Sequence, residues 1–358
     1  MSVARIESVC VVRFGGMGDI LLATPALRAL SKTLATHRVD YIVGGGMGAA
    51  VTGIPYIGRV LEWDKRGPDG KWDNFARFLV SLRRERYDLF LNFQPGTRAN
   101  LMALAAGAKR TLTFAKDRRI QPSTGRVRHA IDDFSKELIP LGIAAVPDRR
   151  MDFHVPDAAR ESLQGKLAAR GVCGGYVVVN PAATRLVNRY PPERFAAVIA
   201  HLAAARPDLR CVLTGSPGEV PLAHAVLAGA TGANAVSLAG ALTVKELGAL
   251  LSGAACVVTA DTGPLHIASA VGAPLVCLSG AADPDRTGPA SPRDLVVINR
   301  ELSCVPCQDR VCRRGDIACM NTLPVEWVVD AVLRRMETAR RFDVSPPVSP
   351  TRNDGDGA

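Results

Sequence analysis

Val257-Val258-Thr259-Ala260-Asp261-Thr262-Gly263-Pro264-Leu265-His266-Ile267-Ala268 is the stretch on which the reading of this chain turns. Cys256 to Thr259 is a short β-branched and apolar run, the pattern of a parallel strand buried on both faces. Asp261 or Thr262 suits the N-cap of a following helix, and Pro264 suits its first turn. Gly263 lets another group approach the backbone closely. Free amides and the positive end of a helix dipole, set at the carboxyl end of a sheet, make an anion site, and a nucleotide diphosphate is the expected occupant. The same residues also suit an ordinary capped strand–helix turn, so the rest of the chain has to decide.

Working outward, the second half repeats this unit. Strands are expected at 176–180, 211–215, 235–238, 256–259 and 275–279, with a short one at 295–298. Helices near 192–205, 219–229, 243–253 and 264–271 separate them, and an amphipathic helix at 157–170 opens this half. The first half has strands at 9–14, 39–43, 60–63, 88–93 and 110–114. Its helices are expected at 20–34, running on despite Pro25, and at 72–86, 98–106 and 129–142, with an exit strand at 151–155. Strands alternating with helices of this length predict βαβ units and parallel sheets. A helix follows at 324–341, and the tail from about Ser345, rich in Pro, Ser, Gly and Asp, is expected to be disordered.

At 358 residues the chain is long for one core, so two domains are the natural expectation. With 47% apolar and only 5% aromatic residues it has a globular α/β composition. The formal net charge of +10 predicts an acidic partner. Nothing in the pattern resembles an aromatic-studded RNA-binding sheet or a helix-turn-helix, so nucleic acid is not expected. No apolar run reaches the roughly 18–20 residues that cross a bilayer. Asp19 interrupts the first apolar stretch and no cleavage site follows a basic start, so a cytoplasmic location is expected.

Between Lys109 and Arg128 stand Lys109, Arg110, Lys116, Arg118, Arg119, Arg126 and Arg128, against the single acid Asp117. A charged loop of this length in an α/β domain is expected to meet an anionic substrate, with a merely solvated surface as the alternative. Cys10, Cys173, Cys211, Cys256 and Cys277 lie in or beside apolar runs and read as small hydrophobes. Cys304, Cys307, Cys312 and Cys319 are clustered; they suit either a structural metal or packed and free thiols. Gly15-Gly16-Met17-Gly18 follows the first strand without the full dinucleotide spacing, and reads as a tight turn that carries Asp19 to the mouth of a cleft.

Three motifs now carry a resemblance. Val12-Arg13-Phe14-Gly15-Gly16-Met17-Gly18-Asp19-Ile20-Leu21-Leu22-Ala23-Thr24-Pro25-Ala26-Leu27-Arg28 is similar to the opening of the ADP-heptose:lipopolysaccharide heptosyltransferases, glycosyltransferase family 9. Asp261-Thr262-Gly263-Pro264-Leu265-His266, with Ala268, Gly272 and Pro274, resembles a second hallmark. Asn180-Pro181-Ala182 with Arg189-Tyr190-Pro191-Pro192-Glu193-Arg194-Phe195 resembles a third, and the loop ending Cys319-Met320 resembles a further segment of many members.

The resemblance implies a GT-B architecture: an acceptor-binding lobe at 1–156, a donor-binding lobe at 157–322 and a helix at 323–342 returning to the first lobe, before a tail at 343–358. It implies inverting transfer of heptose from ADP-heptose to an anionic, membrane-held glycolipid, without a further cofactor. Two departures stand out. Asn188 occupies the place of a lysine that reaches a donor phosphate in the family, and Tyr190 replaces a tryptophan.

Inverting displacement at an anomeric carbon needs a base for the acceptor hydroxyl and stabilisation of the leaving diphosphate. Asp19 is the expected base; an N-cap role is its alternative. Thr262 and Gly263 are expected to offer amides to the diphosphate, and His266 to reach a phosphate or sugar hydroxyl. The resemblance places Thr184 near the phosphates and Glu219 near the ribose; with Asn188 in the lysine's place, neutralising the phosphates falls to Arg189 or Arg185, and Asp261 is expected at the helix start or the sugar. Gly16, Lys65, Arg66, Arg118 and Arg119 are acceptor candidates. No acidic pair follows a strand in the manner of a divalent-cation site, so no catalytic metal is expected. Rival readings are a GT-B transferase of another nucleotide sugar and a binding protein without turnover. A UDP-sugar epimerase fits less, because these motifs are not its own.

Overall fold

The computed structural model describes residues 6–34, 36, 38–94, 96–114, 127–144 and 146–343. Arg118 and Arg119 lie outside them, as does most of the basic stretch in which they stand. The first sheet contains β1 (Ser8–Arg13), β2 (Arg38–Gly44), β3 (Ile57–Trp63), β4 (Leu89–Asn92) and β5 (Arg110–Thr113), in the order β3-β2-β1-β4-β5. Its helices are α1 (Met17–Leu22), α2 (Thr24–Leu34), α3 (Trp72–Arg84), α4 (Thr97–Ala106) and α5 (Ala130–Lys136).

The second sheet contains β6 (Tyr176–Asn180), β7 (Arg210–Leu213), β8 (Ala235–Ser237), β9 (Cys256–Ala260), β10 (Leu275–Ser279) and β11 (Leu295–Ile298), in the order β11-β10-β9-β6-β7-β8. Around it lie α6 (Asp157–Ala168), α7 (Pro192–Ala205), α8 (Val220–Gly229), α9 (Val244–Ser252), α10 (Gly263–Ala270), α11 (Pro284–Thr287), α12 (Ala318–Asn321) and α13 (Val325–Asp343). Every pairing in both sheets is parallel. Central strands such as β6, β9 and β10 are buried throughout, so both faces must be covered by helices and the strands read as continuous apolar runs.

The layers follow from where the apolar faces go. On one face of the first sheet, α3 and α4 pack on Cys10, Val12, Ile42 and Phe90. On the other face a single apolar cluster runs from Ile20, Leu27 and Phe134 through Met151 to Leu163, Leu250 and Leu265 of the second lobe. The lobes therefore share a core between their facing helices. The far side of the second sheet is covered by α7, α8 and α13.

Three sequence expectations are corrected. The helix at 20–34 is two helices. Pro25 cannot donate within a continuing helix and its ring clashes one turn back, so the chain breaks at Ala23 and Pro25 becomes the second residue of α2. The helix at 129–142 stops at Lys136 and continues as a short 3₁₀ turn, Ile139–Leu141, around Pro140. Residues 151–155 form no strand. Thr24 accepts from the Asp152 amide at 2.9 Å, and just ahead of the segment Arg28 donates to the carbonyls of Asp148 and Arg150.

The last helix, α13, follows the second lobe. Its main contacts among the described residues are with the second lobe, against α7, β9, β10 and β11. Val328, Val332 and Met336, four residues apart, are buried with Val258, Val276 and Leu278. Arg335 adds a buried ion pair with Asp294 at 3.3 Å.

Candidate active site

The first turns of α1 and α10, one from each lobe, meet. Gly18 lies so close to the imidazole of His266 that a Cβ on Gly18 would stand 2.2 Å from its Cδ2, and one on Gly263 would stand 3.6 Å from the Cβ of Met17. Glycine at position 18 is thus required by close approach. Asp19, the next residue, carries a side chain 43% exposed, with its Oδ1 accepting from Nη2 of Arg13 at 2.8 Å. Arg13 is held in turn by the Phe93 carbonyl at 3.1 Å and by the face of Phe134 at 5.4 Å. The Asp19 carboxylate is therefore oriented from behind and open in front. Gly16 is exposed at the start of the same helix, and a Cβ there would meet nothing.

Across the contact, Thr262 sits in extended backbone at the N-cap of α10, and its hydroxyl makes no capping bond. Asp261 accepts from the Thr287 hydroxyl at 2.7 Å through Oδ2, while Oδ1 lies 3.5 Å from Nε2 of His266. His266 is 4% exposed, and its Nδ1 has no hydrogen-bond partner. The unsatisfied first amides of α10 and its dipole make this end attractive to an anion.

Sheet order sets what adjoins α10. Because β6 is the neighbour of β9, the loop after β6 emerges beside it. Asn180 fixes that loop, donating to the Ala182 carbonyl and to the Thr259 hydroxyl, both at 3.0 Å. Thr184 and Arg185 are exposed there. Arg189 is half-buried, its Nε given to the Ala183 carbonyl at 2.9 Å. Asn188 is buried, 5% exposed, with an Oδ1 that has no partner. Glu219, after the next strand, accepts from the Ser216 amide at 2.7 Å in a capping box. Lys65 and Arg66 are exposed on the loop after β3, at the outer edge of the first sheet.

The structure thus brings Asp19, Asp261, Thr262, Gly263 and His266 to one place. Thr184, Arg185 and Arg189 lie on the adjoining loop, Lys65 and Arg66 farther out. Sequence reasoning missed the supporting residues. Arg13 carried a signal, as a charged residue ending an otherwise apolar strand; Met17 and Thr287 carried none. A further miss is His129, whose buried ring bridges the lobes. Its Nδ1 accepts from the Ile131 amide at 3.3 Å and its Nε2 meets the Gly288 carbonyl at 3.2 Å. Burial holds the imidazole down to about 4, in the neutral form. Beside it, Asp133 is 3% exposed and paired with Arg128 at 3.1 Å and with Arg286 of the other lobe at 2.5 Å.

Of the two readings left open for the cysteine loop, the structure gives no support to a structural metal. Among the described residues, no three or more His, Cys, Asp or Glu side chains are arranged to hold a metal ion. Cys304 and Cys307 face solvent, whereas Cys319 is turned inward beside Gly280.

Two open parallel sheets with helices on both faces, meeting at the helix that follows β9, make a two-lobed GT-B architecture. The family model for glycosyltransferase family 9 (heptosyltransferase) matches residues 75–318, and the chain belongs to that family. It is 27% identical to lipopolysaccharide heptosyltransferase 3 of Escherichia coli, over 74% of this chain and 81% of that protein. Its fold is similar to that of a glycosyltransferase family 9 protein from Veillonella parvula, with a TM-score of 0.82 at 19% identity, covering 94% of this chain and 99% of that one. It is also similar to that of E. coli ADP-heptose lps heptosyltransferase II, with a TM-score of 0.72 at 16% identity, covering 93% and 99%.

Proposed function

We propose that this enzyme moves heptose from ADP-heptose to the inner core of lipopolysaccharide, the Kdo and heptose region, with inversion at the anomeric carbon. The observation that carries the reading is the Gly18–His266 contact, which sets Asp19 beside the N-terminus of α10. Asp19 takes the proton of the acceptor hydroxyl as that oxygen attacks, and Arg13 keeps the carboxylate aimed. The bond between the anomeric carbon and the diphosphate breaks on the opposite face. The amides at Thr262 and Gly263, with His266, receive the charge that develops on the leaving group. Arg185, and Arg189 through its free guanidinium end, supply the cations that the buried Asn188 does not, so no divalent cation is needed at the diphosphate. Glu219 has one carboxylate oxygen engaged by the Ser216 amide and offers the other to the ribose. Lys65, Arg66, Arg118 and Arg119 meet the acids of the acceptor. The enzyme works on the cytoplasmic side of the inner membrane.

A second reading is favoured by one observation. With Asn188 buried where the family has a phosphate-reaching lysine, the donor site differs from its relatives, and another nucleotide sugar is the alternative substrate. Incubating the protein with ADP-heptose, and separately with other nucleotide sugars, over a panel of truncated core acceptors decides between them by the mass added. In the same assay Asp19→Asn is expected to keep the fold and lose about 10²–10⁴-fold in kcat. Near wild-type turnover would reduce Asp19 to a helix-start residue.

A further inference from the structure

The outer layer of the first lobe takes no part in this chemistry. It consists of α3 and α4, which pack side by side over the sheet. Three of the eight large exposed hydrophobic side chains among the described residues lie on these two helices: Trp72 at 66% exposure, Val80 at 52% and Leu104 at 78%. Trp72, Ala76 and Val80 are four residues apart, hence on one face of α3, and all are exposed.

The charges around them are mostly of one sign. Arg77, Arg83 and Arg84 are exposed on α3, and Lys71 and Arg86 are exposed at its two ends. Asp73 is the exposed acid of that helix, and Glu85 is taken by Arg38 and Arg59, each at 2.9 Å. The α4 segment contains no acid at all. Arg83 reaches across to Gly107 at the end of α4, which brings its charge onto the second helix. At the other end the Arg98 guanidinium lies 5.1 Å from the Trp63 ring and 5.5 Å from the Trp72 ring, seating the exposed indole over a cation.

We propose that the α3–α4 layer is a docking face for an anionic lipid bilayer. Apolar side chains and an aromatic ring framed by arginines along a helix face are what an interfacial contact requires: the apolar groups enter the headgroup boundary while the cations meet lipid phosphates. Charge complementarity selects a lipid surface over a second copy of this chain, because two such faces would set arginine against arginine. The choice of a bilayer over other polyanions rests on the proposed membrane-held acceptor. Position agrees with it, since α3 begins directly after the loop that carries Lys65 and Arg66, and docking would bring that loop to headgroup level.

The test is co-sedimentation with vesicles of phosphatidylethanolamine, with and without phosphatidylglycerol. Wild type should bind the phosphatidylglycerol vesicles and release them at high salt, where exposed charges are screened. Arg77→Ser with Arg84→Ser should weaken partitioning about thirtyfold, from about fivefold for each cation at an anionic surface. Val80→Ser with Leu104→Ser should also weaken it. Both pairs are exposed, and their melting temperatures and their transfer to a short lipid-free acceptor should match wild type. Wild type that ignores anionic vesicles, or variants that bind as wild type does, would overturn the proposal. So would an apolar pair whose only effect is to dissociate a dimer, which assigns the face to a second copy. Vesicle binding through this face, without transfer from ADP-heptose, would sink the proposed activity and leave the docking face standing.

Discussion

Tyr190 shows how a single residue can be read twice. It stands where the family carries a tryptophan, next to residues expected to meet phosphate. In the structure it is 1% exposed, stands edge-on to Phe195 at 5.1 Å, and donates its hydroxyl to the Leu323 carbonyl at 2.9 Å. Its work is to fasten the loop after β6 to the segment that starts α13. Tyr190→Phe is expected to cost about 1 kcal/mol in denaturant unfolding, the net worth of one such hydrogen bond, with kcat unchanged. The Leu323 carbonyl keeps Arg194 as a second donor at 3.1 Å, which favours the low end. Normal stability with a large fall in kcat would instead move Tyr190 into the donor site. Residue type and spacing made Asp19 and the 261–266 run legible. They did not make Arg13 legible as the partner of Asp19, because that contact crosses a glycine turn whose path the sequence does not specify. Nor did they show that Asn188 turns inward.

Among elements, the strands were the most legible, since a strand buried on both faces leaves a continuous β-branched run. Residues 176–180, 275–279 and 295–298 fold as read. The helix that starts at Ala130 was less so. Its N-cap is His129, whose Nδ1 must stay unprotonated to accept from the Ile131 amide. With the folded imidazole held down to about 4 against an ordinary 6.5, the unfolded chain gains a proton between those values that the folded chain refuses. Stability is therefore whole above about 6.5 and falls as pH drops toward 4, by about 3 kcal/mol in total. His129→Asn retains a capping acceptor and should lose this slope. Urea unfolding of both proteins near neutral pH and near pH 4 checks it; parallel slopes would place the titration elsewhere. Residues 151–155 were misread because alternation alone does not say whether a neighbouring strand is there to pair with.

For the whole molecule, two lobes were legible from two runs of alternating strands and helices, but how they sit together was not. The seam on α13 says that the helix packs, not on which lobe. The knot of Arg128, Asp133 and Arg286 had no sequence signal, as Arg286 lies 158 residues from Arg128, in the other lobe. Arg286→Met removes one of the two cations on a buried carboxylate; Arg128 stays on Asp133, so the cost should fall below about 3–5 kcal/mol, that of leaving such a charge unpaired. Because this pair joins lobes, part of that cost should appear as looser association, and small-angle scattering should report a larger radius of gyration. An unchanged radius would leave the shared apolar core as the tie. The Gly18–His266 contact reaches further still. Each chain that diverges from this one inherits a fixed volume to divide between two positions far apart in sequence. A side chain gained at 18 has to be matched by bulk given up at 266, so these two sites are free to drift only as a pair.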